Sequence, residues 1–291
     1  MPRFLLTTLL PAIFVSGLAA QTMPFEMTKP GLDVGIVVTS LEKAKHFYGD
    51  ILGLKPAPSA SVPLAGGGEL VRYTAGGTEI KLRTFDKTPP QMETGIMAAS
   101  GIRLITIFVK DTDSMVKRIV AAGLPAPDFV APEKASYKYG FVSDPDGNQI
   151  EILSFKTEGA ADLYDRFQIG LTVTDAEKTR EFYTKILGLK ERAPQPLPIA
   201  PGALEYFTTA GSTTIKFWSP KGDRPLRTGA IGAALGIRYF TFLVKDVDAT
   251  YEALKARGAK VTSAPRDLTP TVRIMLIADP DGNTIEFATR K

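Results

Sequence analysis

The feature that constrains this chain most is an internal repeat with a constant spacing. Residues 144–151 read Asp-Pro-Asp-Gly-Asn-Gln-Ile-Glu, and residues 279–286 read Asp-Pro-Asp-Gly-Asn-Thr-Ile-Glu. The offset is 286 − 151 = 135 residues. The same offset relates other segments without a gap: 51–55 to 186–190, 101–103 to 236–238, and 109–111 to 244–246. Identity that stays in register over most of each half indicates a tandem duplication.

Composition limits the classes of protein that this repeat can form. The 291 residues are 44% hydrophobic and 23% charged, which is typical of a globular protein with two domains. The net charge of +4 is spread without long runs of one sign, so we expect no nucleic acid partner. The chain has no cysteine, which excludes disulfides, thiolate nucleophiles and Cys-ligated metals.

Two segments are predicted to lie outside the domains. Residues 1–20 resemble an export signal, because Arg3 precedes an apolar run that ends in small residues. We expect cleavage after Ala19 or Ala20 and an exported, periplasmic or secreted protein without a membrane anchor. The polar segment 156–165 is the predicted linker between domains 31–155 and 166–289.

The first half reads as two successive units of strands and a helix. A strand at 34–38 precedes a helix at about 41–52, which Ser40 caps and Gly53 ends, and strands follow at 70–73 and 78–85. The second unit has a strand at 104–109, a helix at about 114–122 with Asp111 or Asp113 as cap, and a hairpin of 139–142 with 149–155. The Asp-Pro-Asp-Gly turn closes that hairpin, since Pro fixes φ and Gly accepts a positive φ.

This combination of motifs resembles the vicinal oxygen chelate superfamily, which includes glyoxalase I, bleomycin-resistance proteins and extradiol dioxygenases. The motifs are the helix end Phe-Tyr…Leu-Gly-Leu and the closing Asp-Pro-Asp-Gly-Asn-x-Ile-Glu, present in both halves. The resemblance implies an α+β fold of two tandem domains. Each domain would contain two paired βαβββ modules that curl their strands into a cup, with helices outside and a ligand inside.

The resemblance also implies four metal-ligand positions in each cup. They correspond to Asp33, Lys81, Leu104 and Glu151 in the first half, and to Gln168, Lys216, Tyr239 and Glu286 in the second. A protonated lysine has no lone pair for a metal and repels a cation. The one histidine, His46, also argues against an iron site with two His ligands. We therefore expect no cofactor. If a Zn, Ni, Mg or Mn ion does bind, the candidate ligands are Asp33, Glu151, Gln168 and Glu286.

We expect a Lys–Glu pair to occupy the position of the metal in each half. Strand alternation would direct Lys81 toward Glu151 and Lys216 toward Glu286. The alternative is that both lysines reach solvent while the glutamates bond to backbone or to Arg103 and Arg238. Candidate ligand contacts are the two lysines and rim aromatics, namely Tyr73, Tyr137, Tyr139, Tyr206, Phe207, Trp218 and Tyr239. Arg83 matches Trp218, so the two cups are not chemically equal.

Three functions remain open from the sequence. The first is binding of a small organic molecule without the usual metal. The second is a divalent-metal lyase or isomerase of the glyoxalase I kind, with Glu151 or Glu286 as ligand and catalytic base. The third is a scaffold whose filled cups serve partner binding. We expect a monomer, because the two halves are already fused.

Overall fold

A computed structural model describes residues 22–58, 64, 66–133, 135–155 and 165–291. The predicted signal at 1–20 and nearly all of the predicted linker lie outside this part of the chain. In the first repeat, the strands are β1 (Asp33–Val37), β2 (Lys55–Pro56), β3 (Leu70–Ala75), β4 (Thr78–Arg83), β5 (Gly101–Phe108), β6 (Tyr137–Ser143) and β7 (Gln149–Phe155). The helices are α1 (Leu41–Lys45), which continues as a π-helical turn at His46–Ile51, and α2 (Thr112–Ala121).

The second repeat follows the same order. Its strands are β8 (Phe167–Thr172), β9 (Lys190–Pro196), β10 (Leu204–Ala210), β11 (Thr213–Trp218), β12 (Gly236–Leu243), β13 (Lys260–Thr269), β14 (Val272–Ala278) and β15 (Thr284–Arg290). Its helices are α3 (Ala176–Glu181) with a π-helical turn at Phe182–Ile186, a short 3-10 turn (Ile231–Ala233), and α4 (Val247–Ala256).

The predicted helix starts are confirmed by their caps. The Ser40 hydroxyl accepts a hydrogen bond from the Lys43 backbone N–H, and Asp111 accepts one from the Ser114 N–H at 2.9 Å. These bonds satisfy N–H groups that have no partner within a helix. The apolar face predicted for α1 and its π-helical turn is also buried, namely Leu41, Ala44, Phe47, Tyr48 and Ile51.

The strands form two sheets, and each sheet combines both repeats. The order of the eight-stranded sheet is β13-β14-β15-β12-β1-β4-β3-β2, and that of the seven-stranded sheet is β6-β7-β5-β8-β11-β10-β9. We call their concave sides the eight-strand cup and the seven-strand cup. Each contains two paired βαβββ-type modules, which confirms the predicted fold class.

The expectation that each half closes its own cup is wrong. The eight-strand cup joins the first module of the chain to the last, through antiparallel pairing of β1 with β12. The seven-strand cup joins the two middle modules through antiparallel pairing of β5 with β8. The sequence could not decide this, because modules that carry the same repeat motif offer similar strand edges to either partner.

Contacts within one repeat instead run from a helix to the Asp-Pro-Asp-Gly turn. The Tyr48 hydroxyl donates to Asp144 Oδ2 at 3.0 Å, and the Thr39 N–H donates to Asp146 at 3.0 Å. The second repeat has the same pair of contacts, from Tyr183 to Asp279 and from Thr174 to Asp281. Each turn therefore attaches the second module of a repeat to the first helix of that repeat. Among the described residues, no helix is long and apolar enough to cross a membrane.

Candidate functional site

The cross-repeat pairing regroups the residues at the metal-ligand positions. In the eight-strand cup, β1 lies between β4 and β12, and β15 lies next to β12. This cup therefore holds Asp33, Lys81, Tyr239 and Glu286. The seven-strand cup holds Leu104, Glu151, Gln168 and Lys216. Each cup thus has one lysine and one glutamate, but they come from different repeats.

The predicted Lys–Glu pairs exist with exchanged partners. Lys216 Nζ lies 2.6 Å from Glu151 Oε2, and Lys81 Nζ lies 3.2 Å from Glu286 Oε1. Our pairing of Lys81 with Glu151 and of Lys216 with Glu286 is therefore wrong. Both lysines are buried, so the alternative in which they reach solvent is wrong as well. The change of partner follows directly from the pairing of β1 with β12 and of β5 with β8.

A threonine completes each pair. The Thr106 hydroxyl donates to Glu151 Oε2 at 2.5 Å, and the Thr241 hydroxyl donates to Glu286 Oε1 at 2.8 Å. Lys81 Nζ also donates to the Thr241 hydroxyl oxygen at 2.7 Å. These hydrogen bonds compensate for removing the charges from water.

The ion pair keeps Lys81 charged although it is buried. Burial alone would lower the pKa of Lys81, but the negative charge of Glu286 outweighs it and the net pKa is raised. The ammonium group therefore carries a full positive charge at the position where a metal-using relative would have a ligand.

Neither cup fits the divalent ion that the fold family implies. The Glu286 and Glu151 carboxylates already accept bonds from an ammonium group and a hydroxyl. A cation at the same place would face the charge of Lys81 or Lys216 at short range. No group of three His, Cys, Asp or Glu that could hold a metal occurs in the described residues. Asp33 Oδ1 accepts hydrogen bonds from Lys29 Nζ and from the Glu79 N–H, while the buried Oδ2 has no hydrogen-bond partner among the described residues. The charges of Lys29 and Lys81 near this carboxylate oppose the binding of a cation there.

The eight-strand cup is filled by side chains. The Tyr239 ring lies across Gly35, where an added Cβ would come within 1.8 Å of it. Lys81 Nζ lies 5.4 Å from the centroid of that ring. Tyr239 and Arg83 are both at least nine-tenths buried. The aromatic ring therefore occupies the space beside the ion pair.

The seven-strand cup contains a cavity of about 530 Å³. Leu104 stands at the repeat position of Tyr239, and its smaller side chain leaves the centre of the cup open. The only tryptophan, Trp218, packs over Gly170 and donates its indole N–H to Thr172 at 2.8 Å. Aromatic side chains form part of the cavity lining, namely Phe108, Tyr137, Tyr139, Phe141, Phe155, Phe207 and Trp218.

Polar groups lie on one wall of this cavity. Glu205 is 6% exposed, and its Oε2 accepts a hydrogen bond from Gln195 Nε2 at 3.2 Å. Glu205 Oε1 lies 3.8 Å from Lys216 Nζ, which is beyond hydrogen-bond distance. Burial raises the pKa of Glu205 despite the nearby charge of Lys216. The Arg192 guanidinium covers the Phe207 ring at 3.5 Å from its centroid.

The structure brings only some of the candidate residues together at the cavity. Lys216, Tyr139 and Trp218 line the cavity, as do Glu151 and Gln168. Tyr73 instead packs against Gly49 of the π-helical turn that follows α1, and Tyr206 stacks on Phe217 and donates a hydrogen bond to Glu177 of α3. These two tyrosines lie on the helix side of their sheets. His46 is largely exposed and pairs with Asp50 at 2.9 Å.

Glu205, Gln195 and Arg192 are lining residues that the sequence analysis missed. Glu205 and Phe207 are two residues apart on β10 and both line the cavity, and Phe207 lies opposite Lys216 of β11. That spacing was a usable signal for Glu205. Arg192 and Gln195 are on β9, whose extent was not predicted.

An α+β fold of two cups built from paired βαβββ modules defines the class of this protein. The chain belongs to the glyoxalase/bleomycin resistance protein/dioxygenase superfamily, whose family model matches residues 32–152 and again 166–287.

The relatives agree with this assignment. An uncharacterized protein of Bacillus subtilis, YraH, is 32% identical over 126 residues, which are 41% of this chain and 94% of YraH. Glyoxalase I from Zea mays has a similar structure, with a TM-score of 0.67 and 17% identity over 91% of this chain and 92% of its own. A dioxygenase-like protein of Bacillus subtilis superimposes with a TM-score of 0.65 and 18% identity, over 90% of this chain and 86% of its own. At these identities the two structures establish the fold alone.

Proposed function

We propose that this protein binds a small organic molecule in the seven-strand cup without a divalent metal. The observation that supports it most is the cavity of about 530 Å³, which is lined by both aromatic and polar side chains. Sites of this size and composition suit small organic ligands. The eight-strand cup serves as core, because Tyr239 fills the corresponding space.

The Lys–Glu pairs support the metal-independent form of the proposal. A metal site needs lone pairs directed at one point, and here an ammonium group occupies that point in each cup. The pairs are repeated in the filled cup, where no ligand could use them. Their common role is thus to neutralise a buried carboxylate, and the catalytic role considered for Glu151 and Glu286 has no support in this geometry.

The rival function is the divalent-metal lyase or isomerase. It requires that a metal displace Lys216 or Lys81 from the glutamate. The scaffold function is favoured by the filled eight-strand cup and disfavoured by the cavity. The proposal concerns ligand binding in the seven-strand cup and does not require a metal-free reaction there.

Two measurements test the proposal. Protein dialysed first against chelator and then against buffer with Zn²⁺, Ni²⁺, Mg²⁺ or Mn²⁺ is analysed for bound metal, and we expect less than stoichiometric retention. The chelator-treated protein is then titrated with small aromatic compounds while the Trp218 indole N–H is followed by NMR. We expect this resonance to shift and saturate. A tightly retained stoichiometric ion would contradict the metal-independent proposal, and the absence of any saturable shift would contradict ligand binding.

We also propose that the protein is exported, on the basis of the signal-like residues 1–20. Expression of the full chain, followed by cell fractionation and mass spectrometry of the N-terminus, tests this. An uncleaved cytoplasmic product would contradict it.

A further inference from the structure

The repeat separates the structural residues of the cups from those that can recognise a ligand. The set Lys216, Glu151 and Thr106 of the seven-strand cup has counterparts of the same type in the filled cup, namely Lys81, Glu286 and Thr241. Because it occurs with and without a cavity, this set does not distinguish a binding cup from a filled one. Recognition must come from lining residues that differ between the repeats.

Glu205 is the acidic residue among these differences. It stands at the repeat position of Leu70, since 205 − 135 = 70, so the filled cup has no equivalent carboxylate. Other lining differences are Arg192 for Ala57, Tyr139 for Ile274 and Leu104 for Tyr239. This carboxylate therefore stands in the cup that has the cavity, and a leucine stands at the same repeat position in the filled cup.

The two carboxylate oxygens of Glu205 have different neighbours. Gln195 donates to Oε2, whereas Lys216 Nζ lies 3.8 Å from Oε1, beyond hydrogen-bond distance. Glu205 lines the cavity, so Oε1 can accept a hydrogen bond from an N–H or O–H group of a molecule bound there. A hydrogen bond to a carboxylate is stronger than one between two neutral groups.

The charges around the cavity decide which kind of donor fits. Arg166, Arg192 and Lys216 of the lining are positive, and Glu151 and Glu205 are negative, so the lining has a formal charge of 3 − 2 = +1 and both carboxylates lie near Lys216. A cationic ligand at Glu205 would meet the Lys216 ammonium, and an anionic ligand would meet two carboxylates. A neutral donor avoids both repulsions, and the aromatic walls favour a planar ring.

We propose that Glu205 is the polar anchor of the cavity and that the ligand is a neutral aromatic molecule whose O–H or N–H donates to Glu205 Oε1. This inference rests on the proposed function and specifies the ligand class. In this arrangement Lys216 positions Glu205, and Glu205 makes the direct polar contact with the ligand.

The test uses four probes of one ring system with the full protein. They are 2-naphthol, 2-methoxynaphthalene, 2-naphthoate and 2-(aminomethyl)naphthalene at pH 7, followed through the Trp218 indole N–H by NMR and by calorimetry. We expect 2-naphthol to bind most tightly, about tenfold or more above the methyl ether, because it alone donates a hydrogen bond without a net charge.

Variants at Glu205 complete the test. Glu205→Leu, which copies the residue of the filled cup, should reduce the ratio of the 2-naphthol and methyl ether affinities to about 1. Glu205→Gln, which keeps the size and an acceptor, should reduce it about threefold or more, and decides the matter if the leucine variant does not fold. Glu181→Gln on the exposed side of α3 should leave the ratio unchanged.

The outcomes separate this inference from the proposed function. Equal binding of all four probes, tighter binding of either charged probe, or a ratio that survives Glu205→Leu would overturn the role of Glu205 while ligand binding stands. Failure of all four probes to bind would overturn both.

Discussion

Lys81 and Glu286 form a buried ion pair although they lie 205 residues apart in the chain. The pair joins β4 of the first repeat to β15 of the second within one cup. Lys216 and Glu151 make the corresponding pair in the other cup. The two repeats thus exchange modules, and the buried charges of each repeat are neutralised by the other.

Breaking one of these pairs should destabilise the fold. Lys81→Met removes the ion-pair partner of the buried Glu286 carboxylate, and we expect a loss of about 3 kcal/mol or more in the free energy of unfolding, measured with urea. The double variant Lys81→Met/Glu286→Leu should recover most of this loss, since it removes both charges. Lys245→Met, which breaks the exposed pair with Glu26, should change stability far less. A Lys81→Met protein as stable as the wild type would contradict a structural role for the pair.

The residue at the repeat position shared by Leu104 and Tyr239 should decide which cup contains a cavity. Tyr239→Leu copies Leu104 and should open space beside Lys81, at a cost of about 2 kcal/mol. Leu104→Tyr should fill the seven-strand cup and abolish the shift of the Trp218 indole N–H by 2-naphthol. Crystal structures and probe titrations of both variants check this. If Leu104→Tyr binds 2-naphthol as well as the wild type, the ligand does not sit where the structure has its cavity.

The Asp-Pro-Asp-Gly turns should make stability depend on pH. Burial raises the pKa of Asp144 and of Asp279 to about 6, against the hydrogen bonds from Asn148 and Asn283. An unfolded Asp has a pKa of about 3.9, so between about pH 4 and pH 6 the native state binds more protons than the unfolded state. The free energy of unfolding therefore falls as pH rises through this window, and it falls no further from this cause above about pH 6.

Urea denaturation from pH 4 to pH 7.5 checks this dependence. As pH rises from 4 toward 6, the unfolding free energy of the wild type should fall relative to that of Asp144→Asn, because the variant has no carboxyl group that titrates at this position. Asp267→Asn is the control, because hydrogen bonds from Lys291 and Arg273 lower the pKa of Asp267 and move its titration below the window. A pH-independent difference for Asp144→Asn would show that the buried carboxyl does not titrate there.

The pairing of modules across the two repeats can be tested by dividing the chain between the repeats. Each repeat can be produced separately, as residues 22–155 and 166–291. In the first fragment β1 and β5 lack their partners β12 and β8, and in the second fragment β8 and β12 lack β5 and β1. We expect neither half to be a folded monomer and the mixture to give a 1:1 complex by analytical ultracentrifugation. A half that is monomeric and cooperatively folded would mean that it can close a cup by itself.

Local features were predictable because they depend on neighbouring residues. The Ser40 and Asp111 caps, the buried face of α1 and the closing hairpin of β6 and β7 all follow from spacing and side-chain chemistry within one segment. The lysines at the metal-ligand positions were visible in the same way. Tyr73 and Tyr206 were misplaced because a strand in a closed cup has two buried faces, and polarity does not say which one faces the cavity.

The sequence by itself determined the duplication, the α+β modules and the presence of one lysine and one glutamate for each cup. Only the tertiary structure decided which lysine meets which glutamate, and which cup stays open. The reason is that the repeats carry nearly the same strand edges, so local sequence does not select between partners 135 residues apart. The choice depends on packing across whole modules, where Tyr239 fills one cup and Leu104 leaves the other for a ligand that Glu205 can hold.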